Sequence, residues 1–224
     1  MKNYNCDVVV VGAGPAGMAA AISAKKNGAA QVIVIERENR LGGILKQCIH
    51  AGFGLQYFGE ELTGPEYAER FADLCKEAGI TFLLNTTAME IKEKTLVCVN
   101  TEGVAQIHFG ALVLAMGCRE RTRANLMIPG SRPAGIYTAG TAQKLINIFG
   151  NKVGKEVVIL GSGDIGMIMA RLALLLPVRD GKTRWKTRLK MVDKSIGCVL
   201  YCGQFEIGRR LTCVNLCTLI SNKK

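Results

Sequence analysis

The chain has 224 residues, 49% of them hydrophobic, enough for one large or two modest domains with ample core. No uninterrupted apolar run reaches the ~18 residues of a membrane-spanning helix. Nine cysteines, an odd number scattered without a secretory pattern, argue against a disulfide scaffold and predict free thiols in a reducing, cytoplasmic setting. The net charge of +11 suggests an acidic partner only until its distribution is read: Met1 to Ala170 carries 17 Lys+Arg against 15 Asp+Glu, and Arg171 to Lys224 carries 12 against 3.

Val8-Val9-Val10-Val11 is a β-branched run suited to a buried parallel strand, and Gly12-Ala13-Gly14-Pro15-Ala16-Gly17 follows it as G-x-G-x-x-G. The spacing predicts a strand, a tight turn at Gly12, close approach of a pyrophosphate at Gly14, and a helix that Gly17 lets lie against the sheet. The N-terminal N–H groups and positive dipole end of that helix face the phosphates, and Pro15 fits a first turn whose N–H has no intrahelical use. Gly28 ends the helix. Gln31 to Ile35 then reads as a second strand delivering Glu36, where a carboxylate can accept from a ribose hydroxyl. The single Lys2 before it, Asp7 at its border and three interrupting glycines argue against a signal-peptide core over Val8 to Ile22.

Glu36-Arg37-Glu38 leads to the pair Gly42-Gly43, and Ile44 to Gly59 reads as a glycine-punctuated loop. Thr63 and Glu66 have capping-box spacing, Pro65 suits a first turn and Gly79 closes the helix, before a strand over Ile80 to Leu84. Three short runs, Ala88–Ile91, Thr95–Val99 and Val104–Phe109, predict an antiparallel meander. Ala111–Ala115 reads as a separate buried parallel strand stopped at Gly117. Arg119 to Arg132 is a polar connector, and Thr138 is placed to cap a helix running to Phe149. Glu156–Leu160 is another buried strand, and it runs into a second G-x-G-x-x-G, Gly161-Ser162-Gly163-Asp164-Ile165-Gly166, which opens a helix up to Leu176.

Two such fingerprints, with a meander and an Ala-x-Gly strand end between them, resemble the two-dinucleotide-binding-domain flavoproteins of the pyridine nucleotide-disulfide oxidoreductase-like superfamily. The wording Gly42-Gly43-Ile44-Leu45-Lys46-Gln47-Cys48-Ile49-His50, and Ile128 to Ile136 with Thr138-Ala139-Gly140, is similar to a branch that includes subunits of sarcosine, opine and proline dehydrogenases. The resemblance implies an α/β fold. A Rossmann-like FAD-binding domain, built from a parallel sheet and an antiparallel meander, would fill 1–150. The beginning of a second Rossmann-like, NAD(P)-binding domain would occupy 151–178, and a basic, cysteine-rich tail 179–224.

It further implies that Gly12, Gly14, Pro15, Ala16, Gly17, Glu36 and Arg37 hold the ADP half of FAD. Gly42 and Gly43 would approach the pyrophosphate, Ala115 and Gly117 would pass near the flavin, and Gly161, Gly163, Asp164, Ile165 and Gly166 would cradle NAD or NADP. Hydride chemistry belongs to the cofactors, so few catalytic side chains are expected.

Two departures stand out. The cysteine pair of disulfide reductases is represented by Cys48 alone, with Phe53 in its partner's place, which argues against a dithiol mechanism. After Arg171 the expected acid-terminated strand is replaced by Leu174-Leu175-Leu176-Pro177 and a basic stretch, with Leu189–Val192 and Asp193 as a late substitute. This predicts a truncation or frameshift near Arg171 to Val178, and sets an inactive remnant beside the oxidoreductase reading.

Cys48 and His50 are the candidate substrate-pocket or proton-moving groups, weighed against plain packing. His108 reads as structural, and Arg119, Arg121 and Arg123 are weighed as holders of phosphates or acidic substrate groups against the favoured reading of a solvated connector. In the tail, Cys198-x-x-x-Cys202 and Cys213-x-x-x-Cys217 lack the two-residue spacing and the histidines of a zinc site, so no metal is expected. The tail lacks interleaved aromatics and any amphipathic repeat, so neither nucleic acid nor membrane is expected as a partner. A small-molecule substrate or an electron-transfer partner subunit is expected, with oligomerisation left open.

Overall fold

The computed structural model describes residues 1–128, 134–151, 153–154, 156–161, 163–175, 188–192 and 199–203. They divide into two compact units, Met1–Cys118 and Arg119–Lys224.

The first unit opens with β1 (Lys2–Val11), α1 (Pro15–Lys26) and β2 (Val32–Ile35). A 3-10 helix (Gly43–Gln47), β3 (Ala51–Phe53), the single turn α2 (Leu55–Phe58) and β4 (Leu62–Thr63) follow. Then come α3 (Gly64–Glu77), β5 (Thr81–Leu83), β6 (Thr87–Lys92), β7 (Thr95–Asn100) and β8 (Gly103–Leu114). One six-stranded sheet has the order β5-β2-β1-β8-β7-β6. Its first four strands are parallel, and β6, β7 and β8 pair antiparallel.

The alternation of side chains along the strands builds two cores from one sheet. Val10, Val32 and Val34 pack with Met18 and Ala21 of α1 and with Phe71 and Cys75 of α3. Their neighbours Val9, Val11, Ile33 and Ile35 pack on the other face with Leu96, Cys98, Ala105 and Ile107 of the meander strands. Both faces are covered, which is why Val8–Val11 of β1 and Val32–Ile35 of β2 are β-branched throughout.

Two expectations are corrected here. Val104–Phe109 and Ala111–Ala115 are not separate strands. Gly110 joins them in the single strand β8, and a Cβ at Gly110 would lie 2.8 Å from the Asp7 carbonyl oxygen. The missing side chain lets β1 lie close, so the glycine continues the strand where a sequence reading places a break. The stretch Ile44–Gly59 is not loop throughout, since it carries the 3-10 helix, α2 and β3, the last paired antiparallel with β4. The capping box of α3 forms as expected: Glu66 Oε2 accepts from the Thr63 N–H at 2.8 Å and its hydroxyl at 2.7 Å. Those bonds hold the Glu66 carboxyl below its ordinary value.

The second unit contains β9 (Ile136–Thr138), α4 (Ala139–Asn147), β10 (Glu156–Leu160), α5 (Asp164–Leu175), β11 (Arg188–Val192) and β12 (Val199–Gly203). Its sheet has the order β11-β10-β12-β9. Val157 and Ile159 of β10 pack against Ala142 and Ile146 of α4 and Met169 and Ala173 of α5. The late substitute strand pairs parallel with β10, Leu160 opposite Val192, so β10, α5 and β11 form a β-α-β unit despite the long crossover. The stretch beyond 178 also supplies β12, antiparallel to both β10 and β9. An apolar strand such as β10 is thereby paired on both edges.

Helix α4 ends at Asn147 rather than Phe149, and its cap comes from outside the segment. Glu120 Oε2 accepts from the Gly140 N–H at 2.8 Å, and Oε1 from the Thr141 N–H at 3.2 Å and from the Thr138 hydroxyl. A carboxylate on these N–H groups meets the positive end of the helix dipole. Ser162, Pro177, Lys182, Arg184, Asp193, Cys198, Cys213 and Cys217 lie outside the described residues, as do Pro129 to Pro133.

Candidate dinucleotide sites

The mouth of the β1–α1 turn is shaped by which glycines have room. Gly12 has φ +102°, a conformation that strains any other residue. A Cβ there would meet the Ala115 carbonyl oxygen at 2.5 Å, and a Cβ at Gly17 would lie 1.8 Å from the Gly12 carbonyl oxygen. Both contacts are with backbone, which cannot swing aside. Gly14 differs: a Cβ would find nothing within 4 Å, so its main chain is open to whatever approaches α1. No side chain caps the helix at Gly14, and the first intrahelical bond is Met18 N–H to Gly14 O at 3.0 Å. The Ala16 and Gly17 N–H groups therefore end the helix without an intrahelical acceptor, as an anion site requires.

Glu36 stands at this mouth. It is only 7% exposed, and its two carboxylate oxygens accept from the Ala13 N–H at 2.9 Å and from the Glu38 N–H at 3.0 Å. Each oxygen keeps a further lone-pair direction for a hydroxyl. The Gly42 N–H donates to the Ala13 carbonyl at 2.8 Å, and a Cβ on Gly43 would lie 3.2 Å from Gly14 Cα. On the opposite side, the Ala115 N–H donates to the Val11 carbonyl at 2.9 Å, and Gly117 turns the chain away with φ +75°. The structure thus brings Gly12, Gly14, Gly17, Glu36, Gly42, Gly43 and Ala115 to one place. Pro15 and Ala16 begin α1 there, and Arg37 is exposed beside Glu36.

Cys48 and His50 are engaged locally. The Cys48 thiol donates to the Ile44 carbonyl at 3.4 Å, its own carbonyl accepts from the Gly64 N–H at 3.0 Å, and burial pushes the thiol pKa up. The thiolate needed for nucleophilic chemistry is disfavoured there. His50 Nδ1 lies 3.0 Å from the Ala51 carbonyl oxygen, and its ring centroid is 5.4 Å from that of Phe53. His108 bonds the Thr95 hydroxyl through Nδ1 at 2.9 Å within the meander.

The β10–α5 turn repeats the first design. Gly161 has φ +116°, a Cβ at Gly166 would lie 2.5 Å from the Gly161 carbonyl oxygen, and one at Gly163 would meet nothing within 4 Å. The first intrahelical bond is again to the middle glycine, Met167 N–H to Gly163 O at 3.1 Å. Asp164 and Ile165 are exposed in the first turn. Among the described residues, no group of three His, Cys, Asp or Glu could hold a metal, and no helix is long and apolar enough to cross a membrane.

Sequence reasoning missed the Ala13 and Glu38 amides that hold Glu36, and Glu120. The first two carry no side-chain signal. Glu120 sits among arginines in a stretch that reads as solvated connector.

The chain is 32% identical over 172 residues to an opine oxidase subunit of Agrobacterium tumefaciens (strain Ach5), covering 73% of this chain and 33% of the relative. It is 33% identical over 170 residues to hydrogen cyanide synthase subunit HcnB of Pseudomonas protegens, covering 72% and 34%. The alpha subunit of sarcosine oxidase from Corynebacterium sp. (strain P-1) is 28% identical over 182 residues, covering 72% and 18%. In fold, the chain resembles L-proline dehydrogenase from P. horikoshii with a TM-score of 0.62 at 21% identity, over 85% of this chain and 36% of that one. The chain spans about a third or less of the length of these relatives. Residues 6–186 match the pyridine nucleotide-disulphide oxidoreductase family, and with its paired glycine turns the chain belongs to that family.

Proposed function

We propose that the chain works in an FAD-dependent oxidoreductase, with FAD on the β1–α1 turn and NAD or NADP on the β10–α5 turn. Hydride would pass between NAD(P)H and the flavin, or onward to a small-molecule substrate or partner subunit. The observation that carries the reading is the repeated glycine geometry. In each turn the first and third glycines are locked together by backbone contact, and the middle one is open. That combination leaves a main-chain surface free for a diphosphate, where a plain structural turn has no need of an open middle glycine.

The residues of the first turn fit FAD. Gly14 and the amides of Ala16 and Gly17 would hold the pyrophosphate, Glu36 would accept from the adenosine ribose, and Gly43 would close over the phosphates. When bound, the flavin supplies the redox chemistry. The chain binds, orients and shields, consistent with a mouth that offers amides and a carboxylate rather than a nucleophile. Gly161, Gly163 and Gly166 would receive the nicotinamide dinucleotide in the same way, with Asp164 and Ile165 on the first turn beside it. The relatives named as subunits of opine oxidase, sarcosine oxidase and hydrogen cyanide synthase favour electron transfer through a partner subunit.

The test is a fluorescence titration of the purified full chain with FAD, followed by NADH and NADPH under argon. Saturable binding, with bleaching of the yellow flavin band by one of the nucleotides, supports the oxidoreductase. A chain that binds neither FAD nor nucleotide is an inactive remnant.

A further inference from the structure

The Gly42–Gly43 turn touches the mouth of the β1–α1 turn, and its own support comes from α3. The Gly42 N–H donates to the Ala13 carbonyl at 2.8 Å, and a Cβ on Gly43 would lie 3.2 Å from Gly14 Cα. A Cβ on Gly42 would lie 2.8 Å from the Ala68 methyl carbon. Ala68 is only 5% exposed, so the space around that methyl is already filled.

One helical turn earlier, Gly64 holds the far end of the same segment. Its N–H donates to the Cys48 carbonyl at 3.0 Å, and a Cβ there would meet the Leu45 carbonyl oxygen at 2.5 Å and the Cys48 carbonyl oxygen at 2.7 Å. Gly64 and Ala68 are four residues apart and so share a face of α3. The helix is itself fixed to α1, since Phe71 and Cys75 pack with Met18 and Ala21, and the Cys75 thiol donates to the Met18 carbonyl at 3.7 Å. Side-chain volume on α3 therefore sets how the glycine pair stands against the turn at Gly14.

We propose that Ala68 is a positioning residue for the dinucleotide: its methyl seats the Gly42–Gly43 turn at the distance from Gly14 that a bound diphosphate requires. This rests on the FAD reading of the β1–α1 turn. Ala68 carries no group that bonds a phosphate, and it acts only through Gly42. A site whose support is loose or displaced loses affinity although every ligand-contacting residue is present. Two extra methyls on a side chain this enclosed press on Gly42 and carry Gly43 out of place beside Gly14.

Fluorescence titration of the purified full chain with FAD and with ADP tests this. Both ligands contain the diphosphate, so Ala68→Val is expected to weaken both about tenfold. Ala68→Ser, close to alanine in volume, is expected to bind both within about twofold of the native chain. Ala72 is the control, buried on the same helix but packed in the core with α1. Ala72→Val is expected to lower the melting temperature as Ala68→Val does and to leave both affinities unchanged. Hydrogen exchange on the native chain decides the matter should Ala68→Val fail to fold: FAD is expected to slow exchange of the Gly64 amide about fivefold and leave the β6 amides unchanged. If the native chain binds FAD and Ala68→Val binds it equally well, or Ala72→Val weakens it as much, Ala68 sets no position and the FAD reading stands. A Gly64 amide indifferent to bound FAD overturns the proposal in the same way. If the native chain binds no FAD, both fall together.

Discussion

Glu36 holds the Ala13 amide at 2.9 Å across the end of the first sheet, joining the end of β2 to the turn that follows β1. The same carboxylate takes the Glu38 N–H at 3.0 Å, so one buried side chain satisfies two main-chain donors and fixes the rim of the candidate FAD site. A residue read from sequence as a ligand for a sugar is therefore also a structural clamp.

Replacing Glu36 should reveal both roles. Glu36→Ala leaves two main-chain donors without their acceptor and is expected to cost about 2–6 kcal/mol, at about 1–3 kcal/mol per unsatisfied group. Glu36→Gln retains one acceptor oxygen and is expected to cost about half as much, while weakening FAD about tenfold. Urea denaturation and FAD titration check the two effects separately.

The glycines of the first turn should divide cleanly between folding and binding. Gly17→Ala drives a Cβ to 1.8 Å from the Gly12 carbonyl oxygen, and is expected to cost about 3 kcal/mol or more or to yield insoluble protein. Gly14→Ala meets nothing within 4 Å at a backbone of φ −74°, so folding should change by less than about 0.5 kcal/mol. The added methyl stands where a diphosphate would approach, so FAD affinity should fall more than about tenfold. A Gly14→Ala protein with unchanged melting and unchanged FAD affinity would remove the diphosphate from this turn. Gly166→Ala and Gly163→Ala should repeat the contrast for NADH or NADPH.

Glu120 should matter to the second unit although it lies 20 residues from the amide it caps at Gly140. Glu120→Ala removes the acceptor for two α4 amides and is expected to cost about 1–2 kcal/mol, as for loss of a strong helix cap. Hydrogen exchange should show the first turn of α4 opening faster, with the Met1–Cys118 unit unchanged. Equal effects in both units would contradict a local cap.

Alkali should loosen the first unit. Cys75 and Cys98 are fully buried, and burial pushes each thiol from an ordinary 9.0 up to about 11. Because the folded values are raised, the unfolded chain ionises first. The stability from keeping the thiols neutral is whole below pH 9 and is lost as pH climbs toward 11. Denaturant midpoints measured across that range should fall, and Cys75→Ala with Cys98→Ala should flatten the slope. Below pH 9, iodoacetamide should label the exposed Cys118 well before Cys75 or Cys98.

Residue chemistry by itself determined the units that close within a few residues of one another. The β-branched run ending at Val11, the three glycines after it, Pro15 in the first turn and an acid after Ile35 each act through local torsion, capping or dipole. The β1–α1–β2 unit, its copy at Gly161 and the Thr63–Glu66 box are accordingly visible in the chain as written. Tertiary structure decided what depends on distant partners. Gly110 reads as a strand break, and only the close approach of Asp7 makes it part of β8. Glu120 reads as solvated, and only the fold delivers it to α4. Val199–Gly203 becomes a strand because the edges of β9 and β10 stand ready to pair with it. In each case the deciding energy is a contact between segments far apart in sequence, and no residue type announces such a contact beforehand.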